Sequence, residues 1–197
     1  MRRSFPLAVL GSLFWCGCII GLDVDKLTGG NGPTSDGGGE TNVAPSGTGY
    51  TWSKNRSSAS DANRAAAGGI NDGNLSAGVN VNSRGEGGAA MWEAAGVVWS
   101  SPKTLASVTF VNGAVDSYRN GYFESNCELQ FTTDGTTWVD SGWTITPGYP
   151  HSTAAGGQSY TFSGVAQDGL VGARVTGETG GSSWSWIVNE VQLLAPQ

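Results

Sequence analysis

A chain of 197 residues has room for one ordinary domain plus appendages, and this one carries 32 glycines, eight tryptophans and 16 acidic against 10 basic residues, for a net charge of -6. That balance argues against nucleic-acid and other phosphate-rich partners, whose binders neutralise phosphates with clustered Lys and Arg; here the lysines are Lys26, Lys54 and Lys103, and the arginines are scattered. Without Arg2 and Arg3 of the leader, 8 basic residues face 16 acidic ones.

Residues 1–22 open with two arginines and continue as the apolar run FPLAVLGSLFWCGCIIGL, the pattern of an export signal. The Cys-Gly-Cys before a polar stretch resembles the lipobox of bacterial lipoproteins, in which a small residue such as Gly17 precedes the lipidated cysteine. The resemblance implies that Cys18 is the lipidated N-terminus, and departs from the pattern at Trp15 and Cys16. Plain secretion and an uncleaved anchor of about 18 residues are the alternatives. In each case the body is exported to the bacterial cell envelope, with membrane contact only through this segment. The body keeps a single cysteine, Cys127, which alternates with Glu128 in NCELQF and reads as a small buried hydrophobe.

Residues 23–49 are rich in Gly, Thr, Asp and Pro and read as a flexible spacer with an average reach of about 30 Å. From Tyr50 to Gln197 the pattern changes to short alternating runs of β-branched and aromatic residues between Gly, Asn, Asp and Ser clusters. LASVTFV and LVGARVT alternate as half-buried strands. Asp134-Gly135 separates two strand-like pieces and predicts a hairpin of type I′, whose central residues both need positive φ. SYTFSGV and SWSWIVNEVQLL supply further strands. One helical candidate, SDANRAAAGG, is worth a turn or two. About eight strands, without repeats or crossover helices, predict an all-β antiparallel sandwich over residues 50–197.

INDGNLSAG, residues 70–78, reads first as a tight turn at Asp72-Gly73. It is not an EF-hand, because Ala77 and Ser83 stand where that loop needs Gly and a bidentate Glu. Four landmarks in order give a second reading: AAAGGINDGN, VVWSSPKTLASVTF, CELQFTTDGTTW, and LVGARVT followed by WIVNEVQLL. Together they resemble the discoidin or coagulation-factor type C domain and its relatives among sugar-binding modules, the galactose-binding-like jelly rolls, over residues 55–195.

The resemblance implies a structural calcium between the DGN loop and the Glu of the last strand. Carried over by position, Asp72 and Asn74 give side-chain oxygens, Gly69 and Ala77 backbone carbonyls, and Asn189 a carbonyl beside the Glu190 carboxylate. Ala77 departs from the family's Thr, with Ser76 one place earlier. It further implies a carbohydrate partner. An exposed aromatic would stack on the C–H face of a sugar while an amide and a guanidinium take its hydroxyls. DSYRNGYF offers Tyr118, Arg119, Asn120 and Tyr122, and ETGGSSWSW offers Trp184, with Trp186 as the more ordinary packing residue. Arg119 is the basic residue nearest to the family's arginine, whose place Val115 takes.

No motif nominates a catalytic pair among Asp116, Glu93, Glu124 and Glu128. His151, the single histidine, has no nucleophile elbow to serve. The sequence therefore reads as a non-catalytic, exported carbohydrate-binding module. The competing reading is a surface adhesion domain that uses the same loops on a protein partner.

Overall fold

The computed structural model describes residues 39–55, 64–82, 91–113, 121–150, 157–179 and 185–197. Cys18 and the leader, the spacer up to residue 38, and the loop residues Tyr118, Arg119, Asn120, His151 and Trp184 lie outside the described residues.

Among the described residues ten strands form: β1 (Thr41–Asn42), β2 (Thr48–Asn55), β3 (Arg64–Ala66), β4 (Val79–Asn82), β5 (Met91–Asn112), β6 (Phe123–Thr132), β7 (Val139–Asp140), β8 (Thr144–Thr146), β9 (Ser159–Thr179) and β10 (Ser185–Ala195). Their pairings are antiparallel, and the register divides them into two layers. In the first, residues 91–98 of β5 lie between β2 and residues 172–179 of β9, with β3 outside β2 and β6 then β7 beyond β9. In the second, residues 107–111 of β5 lie between β10 and the start of β9, with β8 on the far side and β1 and β4 along β10. Strands β5 and β9 serve both layers, and the β5–β9 register shifts where β5 crosses between them, from Val98 to Ser107.

This is an antiparallel β-sandwich of the jelly-roll kind. It has more strands than the eight read from periodicity because β1, β3, β7 and β8 are edge pieces of two or three residues. Ala95, Val97, Leu129, Phe131 and Val175 meet Val108, Phe110, Phe162, Trp186 and Val191 in one buried cluster. Phe110 is central to it: its ring stacks on Tyr160 at 5.1 Å and meets Trp186 edge-on at 5.7 Å. Trp52, Trp99 and Trp186 are buried, so large rings fill space that the many small residues leave.

Three sequence readings change. Arg64–Ala66, in the middle of the helical candidate, is strand β3, paired with Tyr50–Trp52 and with the Arg64 guanidinium 4.2 Å over the Tyr50 ring. So short a segment gains too little from alanine's helix propensity to outweigh the open edge of β2. The hairpin of Gln130 and Phe131 with Asp140 and Val139 forms, but its connection runs over residues 133–138 and is not type I′. Gly135 has φ +79°, whereas Asp134 keeps a negative φ and turns the chain with its side chain, accepting the N–H groups of Thr136 and Thr137 at 2.8 and 2.7 Å. Finally, residues 41–49, assigned to the spacer, belong to the sandwich. Val43 N donates to Leu193 O, Asn42 Oδ1 accepts from Leu193 N and Ala44 N, and Trp99 Nε1 donates to Val43 O. These are backbone and amide bonds, which composition does not register.

Candidate functional site

The connections that follow β5 and precede β6 and β10 start or end at one end of the sandwich, and Asn112 joins them. This residue, 3 % exposed, ends β5. Its Oδ1 accepts from Trp186 Nε1 at 2.9 Å and from the Tyr149 hydroxyl at 3.0 Å, while its Nδ2 donates to Gly121 O at 2.9 Å. Gly113 N also donates to Ile187 O, and the Tyr149 hydroxyl accepts from Phe123 N. Residues 113 and 121, which flank 114–120, and residue 186, two places past Trp184, are therefore fixed to one another by buried bonds. Burial pushes the Tyr149 phenol above its ordinary range, so its hydroxyl stays protonated and keeps donating. Glu93 completes the base: fully buried, it accepts from Trp186 N at 2.7 Å, which makes it a structural support and removes it from the candidate catalytic carboxylates. Tyr122, offered by the sequence as a loop aromatic, is 5 % exposed and packs inward.

The 70–78 loop lies along the other part of β10 and is pinned to it at three successive residues. Val191 N donates to Ile70 O at 2.6 Å, Gly73 N donates to the Glu190 carboxylate at 3.2 Å, and Asn189 Nδ2 donates to Leu75 O at 2.7 Å. Between these pins the loop organises itself with its own oxygens. Asp72 Oδ1 accepts from Asn74 N, and Asn74 Oδ1 from Ser76 N and Ala77 N. Gly73 has φ +83°, a conformation that puts its N–H onto Glu190 and that other residues adopt at a cost. The loop that carries Gly69, Asp72, Asn74 and Ala77 is thus fastened to the strand that carries Asn189 and Glu190, although more than a hundred residues separate the two segments.

Glu190 is fully buried, and its Oε1 accepts no hydrogen bond among the described residues. Burial pushes its carboxyl up to about 7, the Asp72 charge adds to the rise, and the Gly73 N–H opposes it. Of the residues singled out in the sequence, the structure describes the six of the proposed clasp as well as Glu93, Tyr122 and Trp186. The four loop residues stay outside it, and only their stems are placed. Asn112 and Tyr149 were not singled out as supports, since FVNG and PGYP carry only turn signals.

No family model matches the chain, and no curated protein does. Solved structures do match its fold. A chain of the Streptococcus pneumoniae beta-galactosidase BgaA superposes with a TM-score of 0.52 at 16% identity, covering 77% of this chain and 99% of that one. Chitosan-binding module 1 of a chitosanase/glucanase from Paenibacillus sp. IK-5 gives 0.51 at 17% identity, covering 79% and 99%. The family 32 carbohydrate-binding module of NanJ from C. perfringens, solved with galactose, gives 0.50 at 14% identity, covering 79% and 98%.

Proposed function

We propose that this chain is a non-catalytic carbohydrate-binding module, exported to the cell envelope and lipidated at Cys18, whose sugar site is built from residues 114–120 and 180–184. The observation that carries the reading is the base beneath those segments. Asn112, Trp186, Tyr149 and Glu93 fasten their stems together with buried bonds, in a fold that also serves a chitosan-binding module and a galactose-binding one. A rigid base with variable segments above it is how a scaffold fixes binding groups without specifying the ligand. Trp184 and Tyr118 would offer aromatic faces to the C–H side of a pyranose, and Asn120 and Arg119 would take its hydroxyls.

The clasp fits a calcium ion. Its donors are oxygens, which suit a hard cation of irregular geometry: side chains of Asp72, Asn74 and Glu190, and carbonyls of Gly69, Ala77 and Asn189. The buried Glu190 Oε1, which no hydrogen bond serves, is what such an ion would satisfy. When bound, the ion would tie the loop to β10 and stabilise the fold without entering any reaction.

A glycan array read with and without chelator tests the proposal. Saturable hits that vanish in Trp184→Ala and Asn120→Ala, with the fold intact, are expected. An array without hits, together with specific capture of one protein partner through the same residues, sinks it in favour of an adhesion domain.

A further inference from the structure

The end of the sandwich away from Asn112 holds a pocket that the apical reading does not use. It lies beside the 133–138 connection, with Phe131, Thr132, Thr133, Asp134, Thr137, Val139, Asp140, Ser141, Gln167 and Leu170 as its lining, and has a volume of about 350 Å³. Strand β6 runs ten residues from Phe123, beside the apical stems, to Thr132 at the pocket. At about 3.3 Å per residue the two ends lie roughly 30 Å apart.

The lining combines three kinds of group. Phe131 and Leu170 belong to the core and form an apolar floor. Val139, also of the lining, is a large hydrophobic side chain left 63% exposed. Thr133, Thr137 and Ser141 bring hydroxyls to it. Asp134 and Asp140 bring carboxylates, and no Lys, Arg or His lines the pocket.

Both carboxylates are held in place. Asp134 accepts from Thr132 Oγ1, Thr136 N and Thr137 N, and Asp140 from Gly142 N at 3.1 Å. Those bonds keep the Asp134 carboxyl well below the usual carboxylate range, so its charge persists. Glu128 is raised by burial and then by the charge of Asp140, so the negative field reaches beyond the pocket.

We propose that this pocket is a second ligand site, for a protonated amino sugar. Its ammonium would meet Asp134 and Asp140, its hydroxyls Thr133, Thr137 and Ser141, and its C–H face Val139 and the Phe131–Leu170 floor. An ammonium gives the carboxylates a charge-assisted bond that a neutral sugar cannot, and an acidic sugar is repelled. The size lies within the range of small-molecule pockets.

The test is a titration of the full-length protein, labelled with nitrogen-15, with glucosamine, glucose, N-acetylglucosamine and lysine amide at mildly acidic pH and low salt. Glucosamine is expected to shift the amides of Thr137, Val139, Ser141 and Gln167 and to bind several-fold more tightly than the two neutral sugars. Added salt weakens it. Asp140→Asn, which retains an acceptor for Gly142 N, weakens it about two- to fivefold, as for an exposed ion pair. Equal binding of glucose, shifts elsewhere, or an unaffected Asp140→Asn variant overturns the proposal. Lysine amide binding as tightly as glucosamine also overturns it, in favour of a site for basic peptides. Asn120→Ala leaves these shifts in place, so this proposal and the apical one fail separately.

Discussion

Replacing Glu190 with Gln isolates one buried charge and gives a signed effect on stability. In the metal-free protein its carboxyl is fully buried and titrates at about 7 in place of 4.5, because burial, helped by the charge of Asp72, outweighs the hydrogen bond from Gly73. In the unfolded chain it returns to its ordinary value. Between those two values the folded state holds the proton and the unfolded state does not. Stability from this group is therefore fully present below about pH 4.5 and is lost as pH rises through about 7. At 1.36 kcal/mol per unit, the shift corresponds to about 3 kcal/mol. Urea denaturation in EDTA, followed by tryptophan fluorescence at a series of pH values, measures it. The wild-type curve should fall by that amount relative to the Gln variant across the window, and excess calcium should remove the fall by holding the carboxylate ionised. Identical slopes in both proteins, or a wild type that gains stability with rising pH relative to the variant, refute the reasoning.

Asn112→Ala leaves Trp186 Nε1 and the Tyr149 hydroxyl without their common acceptor; a loss of about 2–4 kcal/mol in urea denaturation is expected, with faster exchange of the Phe123 amide, which donates to the Tyr149 hydroxyl. Gly96→Ala would put a methyl carbon 2.2 Å from the carbonyl oxygen of Ala173 in the paired strand, which backbone cannot yield cheaply. It should cost about 1–3 kcal/mol, whereas Gly68→Ala, with nothing within 4 Å, stays within about 0.5 kcal/mol of wild type by the same assay. Asp134→Ala removes a carboxylate whose proton affinity is lowered first by the N–H of Thr137 and then by that of Thr136. Its stabilisation is present above the ordinary carboxylate range and lost as pH falls through the folded value, so the variant's deficit in thermal denaturation is expected at neutral pH and shrinks in acid.

The parts of the fold legible in the sequence were those in which side chains alternate over several residues. NCELQF alternates over several positions, and Leu129 and Phe131 fell inside as that pattern required, whereas LVGARVT, read as half-buried, is buried on both faces, with Arg174 and Thr176 inside as well as Ala173 and Val175. Pieces held by backbone pairing left no such trace. Thr41–Asn42 and Arg64–Ala66 are strands because β10 and β2 offer edges, and neither Thr-Asn nor Arg-Ala-Ala carries a β signal of its own. The meeting of Asp72 with Glu190 was available only through resemblance, since no local periodicity links segments 118 positions apart. Asn112 was illegible for a different reason: Asn before Gly reads as a turn, and three of its bonds depend on Gly121, Tyr149 and Trp186, which stand 9, 37 and 74 positions away.

The two ends of the sandwich divide stability from recognition in opposite ways. At the apical end Asn112, Trp186 and Tyr149 bond to one another at the base, so on the proposed reading substitutions at residues 114–120 and 180–184 would change a ligand while Asn112 and Trp186 keep their bonds. At the other end the carboxylates of Asp134 and Asp140 are surface groups that also shape the chain, capping Thr136, Thr137 and Gly142. A proposed recognition group that doubles as a cap cannot vary freely, because losing its acceptor oxygen alters the turn that positions it. If the two proposed sites bind sugars, ligand choice at the apical segments would diversify at little cost to the fold, while the acidic pocket would be confined to ligands that tolerate fixed carboxylates.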